Sequence, residues 1–202
     1  MRYTLKQGQT TYPVSEAELA DLLRLDDYTD PILRILLQTA TSAASSFTGR
    51  AFLNQEFVIQ WDGYPGYGTE TGGIDMLRRV PAEWVELPYA APLVSVDSVS
   101  FVDIDNDETI IPLNELVVDT IHEPGRFKFR RGLPVLRNDT RFIVEYTAGY
   151  GENPEDVPFG IRHAILQAAG YMYEHRGECE AGSAITKSGA AATLMPFRMM
   201  RL

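Results

Sequence analysis

Residues 141–176, RFIVEYTAGYGENPEDVPFGIRHAILQAAGYMYEHR, decide the fold because two periodicities meet inside them. From Arg141 to Tyr146 apolar and polar side chains alternate, the period of a strand with one buried face. After Pro158, Ile161, Ile165, Ala168 and Met172 recur at spacings of three and four, with Ala164 and Tyr171 beside them. That is one apolar face of a helix, and Gly177 is the expected stop. A strand therefore gives way to a helix across a loop rich in glycine, proline and acid.

The strand pattern extends upstream to about residue 54. Glu56–Trp61, Trp84–Leu87, Val94–Val102, Ile110–Ile111, Leu116–Val118 and Arg126–Arg130 are rich in valine and aromatics or alternate. Turn residues separate them, at Gly63-Tyr64-Pro65-Gly66, Asp105-Asn106-Asp107, Pro124-Gly125 and Asn138-Asp139. Short strands with polar turns predict an antiparallel sandwich or rolled sheet, not βαβ units.

The helical pattern has partners at the front of the chain. Ser15 followed by Glu18 is a capping box, with Leu19, Leu22 and Leu23 on one face behind it. Asp30-Pro31 reads as N-cap and first helical residue. Ile32, Leu36, Ala40, Ala43 and Phe47 then form a stripe, flanked by Leu33, Leu37 and Ala44, and Gly49 ends it. Ala43-Ala44-Ser45-Ser46 is small enough for close helix–helix approach. Ala40, Ala43, Ala44 and Phe47 are expected to pack with Ile161, Ile165, Ala168 and Met172.

The predicted fold class is α+β. It is a small helical bundle (helices near 15–25, 31–48 and 158–176) with a large antiparallel β insertion (about 54–150), then a C-terminal tether and tail. As domains, 14–53 and 154–178 form the helical part and 54–153 the insertion. Residues 178–193 are small and mostly featureless and read as a flexible linker, and as a domain 179–202 is a linker with a docking tail. The chain of 202 residues is long enough to bury a core without metal or disulfide. It has no run of about 18 apolar residues to cross a membrane, and MRYTLKQGQTTYPV lacks a signal-peptide core. Cys179 is the single cysteine, so an internal disulfide is excluded and a reducing compartment is expected, where the Asn138 sequon has no glycosylation meaning.

A net charge of −10 disfavours holding nucleic acid or an anionic membrane. No catalytic set emerges. His122, His163 and His175 form no metal-binding spacing. Glu178 and Glu180 flank Cys179 and oppose a reactive thiolate. The glycines at 63, 66, 68, 72 and 73 precede no helix that offers its N-terminus to a phosphate. Asp103-Ile104-Asp105-Asn106-Asp107-Glu108 opens like a calcium loop. It has Glu108 where a glycine is required and Asn114 where a bidentate Glu is required, so it is read as a hairpin turn. Along Arg126-Phe127-Lys128-Phe129-Arg130, alternation separates a basic face from a Phe-lined core face. No catalytic residue, cofactor or metal is therefore assigned.

The tail is different. Leu194, Met195, Phe197, Met199, Met200 and Leu202 are six large apolar residues among the last nine. Left free, they would be an aggregation hazard. They either dock into the chain's own core or reach another polypeptide. The long small-residue segment before them favours the second, so Leu194, Met195, Pro196, Phe197, Arg198, Met199, Met200 and Leu202 are expected at a partner or oligomer interface. Acidic groups there would orient Arg198 and Arg201.

Several segments together resemble a head–tail connector protein of tailed bacteriophages. They are Ile143-Val144-Glu145-Tyr146-Thr147-Ala148-Gly149-Tyr150-Gly151, then Val157-Pro158, Ile161-Arg162, Ala164-Ile165-Leu166 and Tyr173-Glu174-His175-Arg176. Upstream, Ala44 and Thr48-Gly49-Arg50-Ala51-Phe52 match the end of that family's first long helix. Leu87-Pro88, Pro92-Leu93, Val96, Val99 and Phe101-Val102-Asp103 follow its proline, valine-rich strand and Asp-turn order. Leu194-Met195-Pro196-Phe197-Arg198 resembles its Leu-x-Pro-aromatic-Arg ending. The resemblance spans about residues 14–178 plus the tail, and nothing aligns at Ile74–Val80 or in the linker.

The resemblance implies a head-completion adaptor without enzymatic activity. It would form a ring of its own copies, expected to be twelvefold, beneath the portal protein. A downstream neck or tail-completion protein would bind the ring, and DNA would pass through without specific binding. It implies a virion neck location, after synthesis in the bacterial host's cytoplasm, and no membrane partner. The acidic balance suits a conduit, since carboxylates repel phosphates. The rival reading is a β-rich carbohydrate- or calcium-binding module, with Trp61, Tyr64, Tyr67 and Trp84 as a sugar platform and the Asp103 turn as the calcium site.

Overall fold

The computed structural model describes residues 2–7, 11–63, 84–88, 91–131, 141–175 and 181–199. The chain divides into a helical unit, residues 9–54 with 149–202, and a β unit, residues 1–8 with 55–148.

In the helical unit, α1 (Glu16–Leu23) starts where the Ser15 hydroxyl accepts from the Glu18 N–H, and the Glu18 carboxylate accepts from the Ser15 N–H. It ends at Arg24 in the left-handed conformation. The Asp30 carboxylate accepts from the Ile32 N–H at 2.9 Å and Pro31 opens α2 (Pro31–Thr48). Gly49, at φ 72°, closes it with its N–H on the Ser45 carbonyl. The core stripe of α2 is Leu33, Leu37, Ala40, Thr41, Ala44 and Thr48. That lies one position round from the stripe expected from the sequence: Ile32, Leu36, Ala43 and Phe47 are half-buried at its margin. The apolar arc of α2 is wide, so neighbours on both sides of it were plausible centres, and packing selects the aliphatic Leu33/Leu37 side. α3 (Phe159–Glu174) buries Ile161, Ala164, Ile165, Ala168, Ala169 and Met172 against that stripe.

The linker expected at 178–193 is corrected here. α4 (Ala181–Lys187) and α5 (Ala190–Leu194) occupy its described part, turned by Gly189 at φ 82°. Ala184, Ile185, Ala190 and Leu194 are fully or almost fully buried in the helical core. Small side chains here permit two short helices to lie close to α2 and α3. The segment is packing material and not a tether.

Segments 52–54 and 149–151, through which the chain passes between units, bond to each other. The Tyr150 N–H donates to Phe52 O and the Asn54 N–H to Gly151 O. Gly149 is required there: a Cβ would lie 2.5 Å from backbone atoms of Leu53 and Asn54, at φ 151°.

The β unit has a five-stranded antiparallel sheet. Its strands are β1 (Arg2–Gln7), β2 (Gln55–Asp62), β4 (Leu93–Val102), β5 (Glu108–Ile110) and β8 (Arg141–Ala148), in the order β1-β2-β8-β4-β5. A three-stranded sheet orders β3 (Val85–Glu86), β7 (Arg126–Phe129) and β6 (Leu116–Asp119) as β3-β7-β6. β1 was not anticipated, because its pairing partner lies about fifty residues away. β8 alternates without a break and buries Phe142, Val144, Tyr146 and Ala148. Phe101 and Phe142 of the larger sheet meet Phe129 and Phe127 of the smaller, each pair with centroids 6.2 Å apart. That aromatic seam is the core between the two sheets.

Candidate assembly surfaces

The C-terminal segment does not stand free. Leu194 is fully buried among Ala184, Ile185 and the α3 stripe. Beyond it, Met195–Phe197 makes a 3₁₀ turn that starts at Pro196's neighbour, as that proline permits. The Phe197 ring packs at Gly160, where a Cβ would sit 3.1 Å from it, and the Phe197 carbonyl accepts from Arg50 Nε. The Met199 N–H donates to the Thr48 carbonyl at 2.8 Å, satisfying one of the last carbonyls of α2. Leu194 packs wholly on its own chain and Phe197 and Met199 in part, which corrects the expectation of a segment held off the core by a tether, while Met195, Pro196 and Arg198 are exposed. Burial of Leu194 with Phe197 is what a segment this apolar gains without a partner. Arg198 is held by an aromatic ring, with its guanidinium 5.4 Å above Phe47, where acidic partners were expected. Met195 remains 56% exposed. Met200, Arg201 and Leu202 lie outside the described residues.

Beside this segment α2 and α4 border an open groove of about 720 Å³, lined by Gln38, Thr39, Ser42, Ser46, Phe47 and Ile185 among others. α2 carries no charged residue between Arg34 and its end. A solvent-facing helix surface ordinarily does.

Arg162 joins the starts of α1 and α3. Its Nε donates to the Pro13 carbonyl at 3.0 Å and its Nη2 to Glu18 Oε1 at 2.6 Å. Burial of the Glu18 carboxyl works to raise its pKa. The Ser15 N–H and hydroxyl and the Arg162 guanidinium outweigh it and hold the group below its ordinary value.

The Asp103 turn is a hairpin. Its carboxylate Oδ1 accepts from the Asp105 and Asp107 N–H groups at 2.9 and 3.0 Å, with Asn106 left-handed at φ 64°. One of the oxygens offered to calcium is thus spent on the backbone. Asp119 similarly locks the β6–β7 loop. It accepts from the N–H groups of Ile121 and His122 and from Arg126, and the His122 bond, with help from Arg126, lowers its pKa against partial burial. The basic face of β7 carries an aromatic after all: Arg126 and Lys128 lie 4.5 and 4.6 Å from the Trp84 ring centroid. Trp61 lies against Phe142, with ring centroids 5.5 Å apart, and Tyr64 and Tyr67 of the anticipated sugar platform lie outside the described residues. His163 stacks on Phe159, His175 on Tyr171, and His122 Nδ1 meets the Pro124 carbonyl. Cys179 and Gly177 are also outside the described residues. Among those that are described, no three His, Cys, Asp or Glu side chains are placed to hold a metal ion, and no helix is long and apolar enough to cross a membrane.

No protein-family model matches the sequence, and no curated protein matches it. Solved structures do match its fold. A chain in the neck of an empty gene transfer agent (GTA) particle, computed with C6 symmetry, superposes with a TM-score of 0.76 at 21% identity, over 100% of this chain and 97% of that one. A chain in the virion of a native gene transfer agent particle gives 0.73 at 21%, with the same coverage. One in the neck of a native GTA particle, computed with C12 symmetry, gives 0.72 at 20%, over 98% and 97%. At such identity the likeness is one of fold, and it runs the length of both chains.

Proposed function

We propose that this chain is a structural neck protein of a tailed-phage-like particle: one copy in a ring at the portal vertex that joins the head to what lies below it. The observation that carries the reading is the whole-chain likeness, both units included, to chains in gene transfer agent necks computed with sixfold and twelvefold symmetry. The head–tail connector resemblance of the sequence supports it from a separate direction. The finer role is that of an adaptor, with the portal protein above, a downstream neck or tail-completion protein below and DNA passing without specific binding. A net charge of −10 suits a conduit that lets a polyanion slide. The uncharged face of α2 suits close packing of neighbouring subunits, in head-to-tail contacts that close into a ring.

The reading is tested by imaging the portal vertex of particles made with and without this protein. Ring density matching both units at the neck is expected in the first and not in the second. Normal necks and tails without the protein would overturn it. The contribution of the C-terminal end is separable: Met195→Ser removes its exposed apolar contact without touching buried Leu194. It should weaken joining to portal-bearing heads if the segment faces a partner there.

A further inference from the structure

The β4–β5 hairpin is built to present and not to fill. β5 buries none of its three side chains. Ile110 on that strand is 65% exposed, and Ile104, in the turn, is 67% exposed. A flexible loop would let such residues fold back; this one is fixed. Asp103 holds two turn N–H groups, the Asp103 N–H donates to the Asp107 carbonyl, and Arg141 Nη2 donates to the Asn106 side-chain oxygen at 2.6 Å. A locked turn displaying aliphatic side chains has already lost the entropy that binding would otherwise take. Asp103, Asp105, Asp107 and Glu108 surround them with negative charge.

We propose that this hairpin is a docking element for a protein partner whose surface offers an apolar recess rimmed by lysine or arginine. Charge complementarity selects the occupant. Four carboxylates within six residues repel nucleic acid and anionic lipid; a second copy, which offers Arg126 and Lys128 on β7 but carries a net charge of −10, is told apart from a basic partner by ring formation in the test below. A basic protein surface gains from both parts: the isoleucines fill the recess, and the acids steer approach and register. The proposal rests on the neck reading for the choice of probe.

The test mixes purified protein with heads that carry the portal but lack this chain, and then with free tails. Protein bound per head and the fraction of heads that gain tails are counted at about 50 and about 300 mM salt. Ile104→Ser with Ile110→Ser, and separately Asp105→Lys with Glu108→Lys, are expected to cut one of the two joining steps by about tenfold or more. Ile121→Ser, at another exposed isoleucine (92%), should leave both steps unchanged. Wild-type joining at that step should weaken as salt rises. Unaltered melting of the variants confirms that the fold is intact. Wild-type behaviour of both hairpin variants overturns the proposal alone, as does loss of ring formation by the purified variants, which would make the hairpin a contact between copies. Wild-type protein that neither binds heads nor joins them to tails overturns the neck reading and this proposal with it.

Discussion

Glu18 shows how much one side chain can fasten. Its Oε2 accepts from the Ser15 N–H and hydroxyl at 2.8 and 2.9 Å, and its Oε1 from Arg162 at 2.6 Å. One carboxylate thus caps α1 and ties it to α3. Because its folded pKa lies below the ordinary 4.5, the stability it contributes is present above pH 4.5 and is lost as pH falls through the folded value. Glu18→Gln should therefore cost about 1 kcal/mol at neutral pH, held to that size because the side chain is part-exposed. The difference in melting temperature between variant and wild type should shrink on acidification below 4.5. A gap that widens in acid would contradict the assignment. This residue was legible in the sequence, as were Asp30-Pro31 and Gly49, because caps are set by neighbours within four positions.

At the scale of elements, legibility follows the distance over which each one is determined. β8 and α3 were readable because their own side chains carry an unbroken period. β1 was not, since an edge strand of six residues is made by hydrogen bonds to β2, which arrives only at Gln55. α4 and α5 were misread because alanine, glycine and serine look like linker composition. Their helices are settled by contact with α2 and α3, although Ala190 and Leu194, four apart, carried a short helical signal. The apolar tail was singled out from the sequence, but its first residue, Leu194, is covered by the chain's own helices and is not carried on a tether. Leu194→Ala tests the corrected view: a fully buried leucine should cost about 2–5 kcal/mol in urea denaturation. A loss near zero would mean that the segment does not hold the core.

For the whole molecule, net charge dominates. Copies carrying −10 repel one another, so ring formation by the purified protein should be favoured by salt, rising between about 50 and 300 mM as the screening length shortens. Light scattering at fixed protein concentration reads this directly, and association that weakens with salt would place ion pairs, not the uncharged face of α2, between subunits. Hairpin docking on a basic partner should show the opposite slope, which separates the two kinds of contact.

The passage of the chain between its units sets the order in which it becomes whole on the ribosome. β1 is made first and waits about fifty residues for β2, and the larger sheet closes only when β8 emerges at Arg141–Ala148. The helical core stays open longer still, until Leu194 has left the exit tunnel. Nascent chains halted anywhere short of that point carry an unfinished hydrophobic interior, so such truncations yield chaperone clients in place of usable fragments.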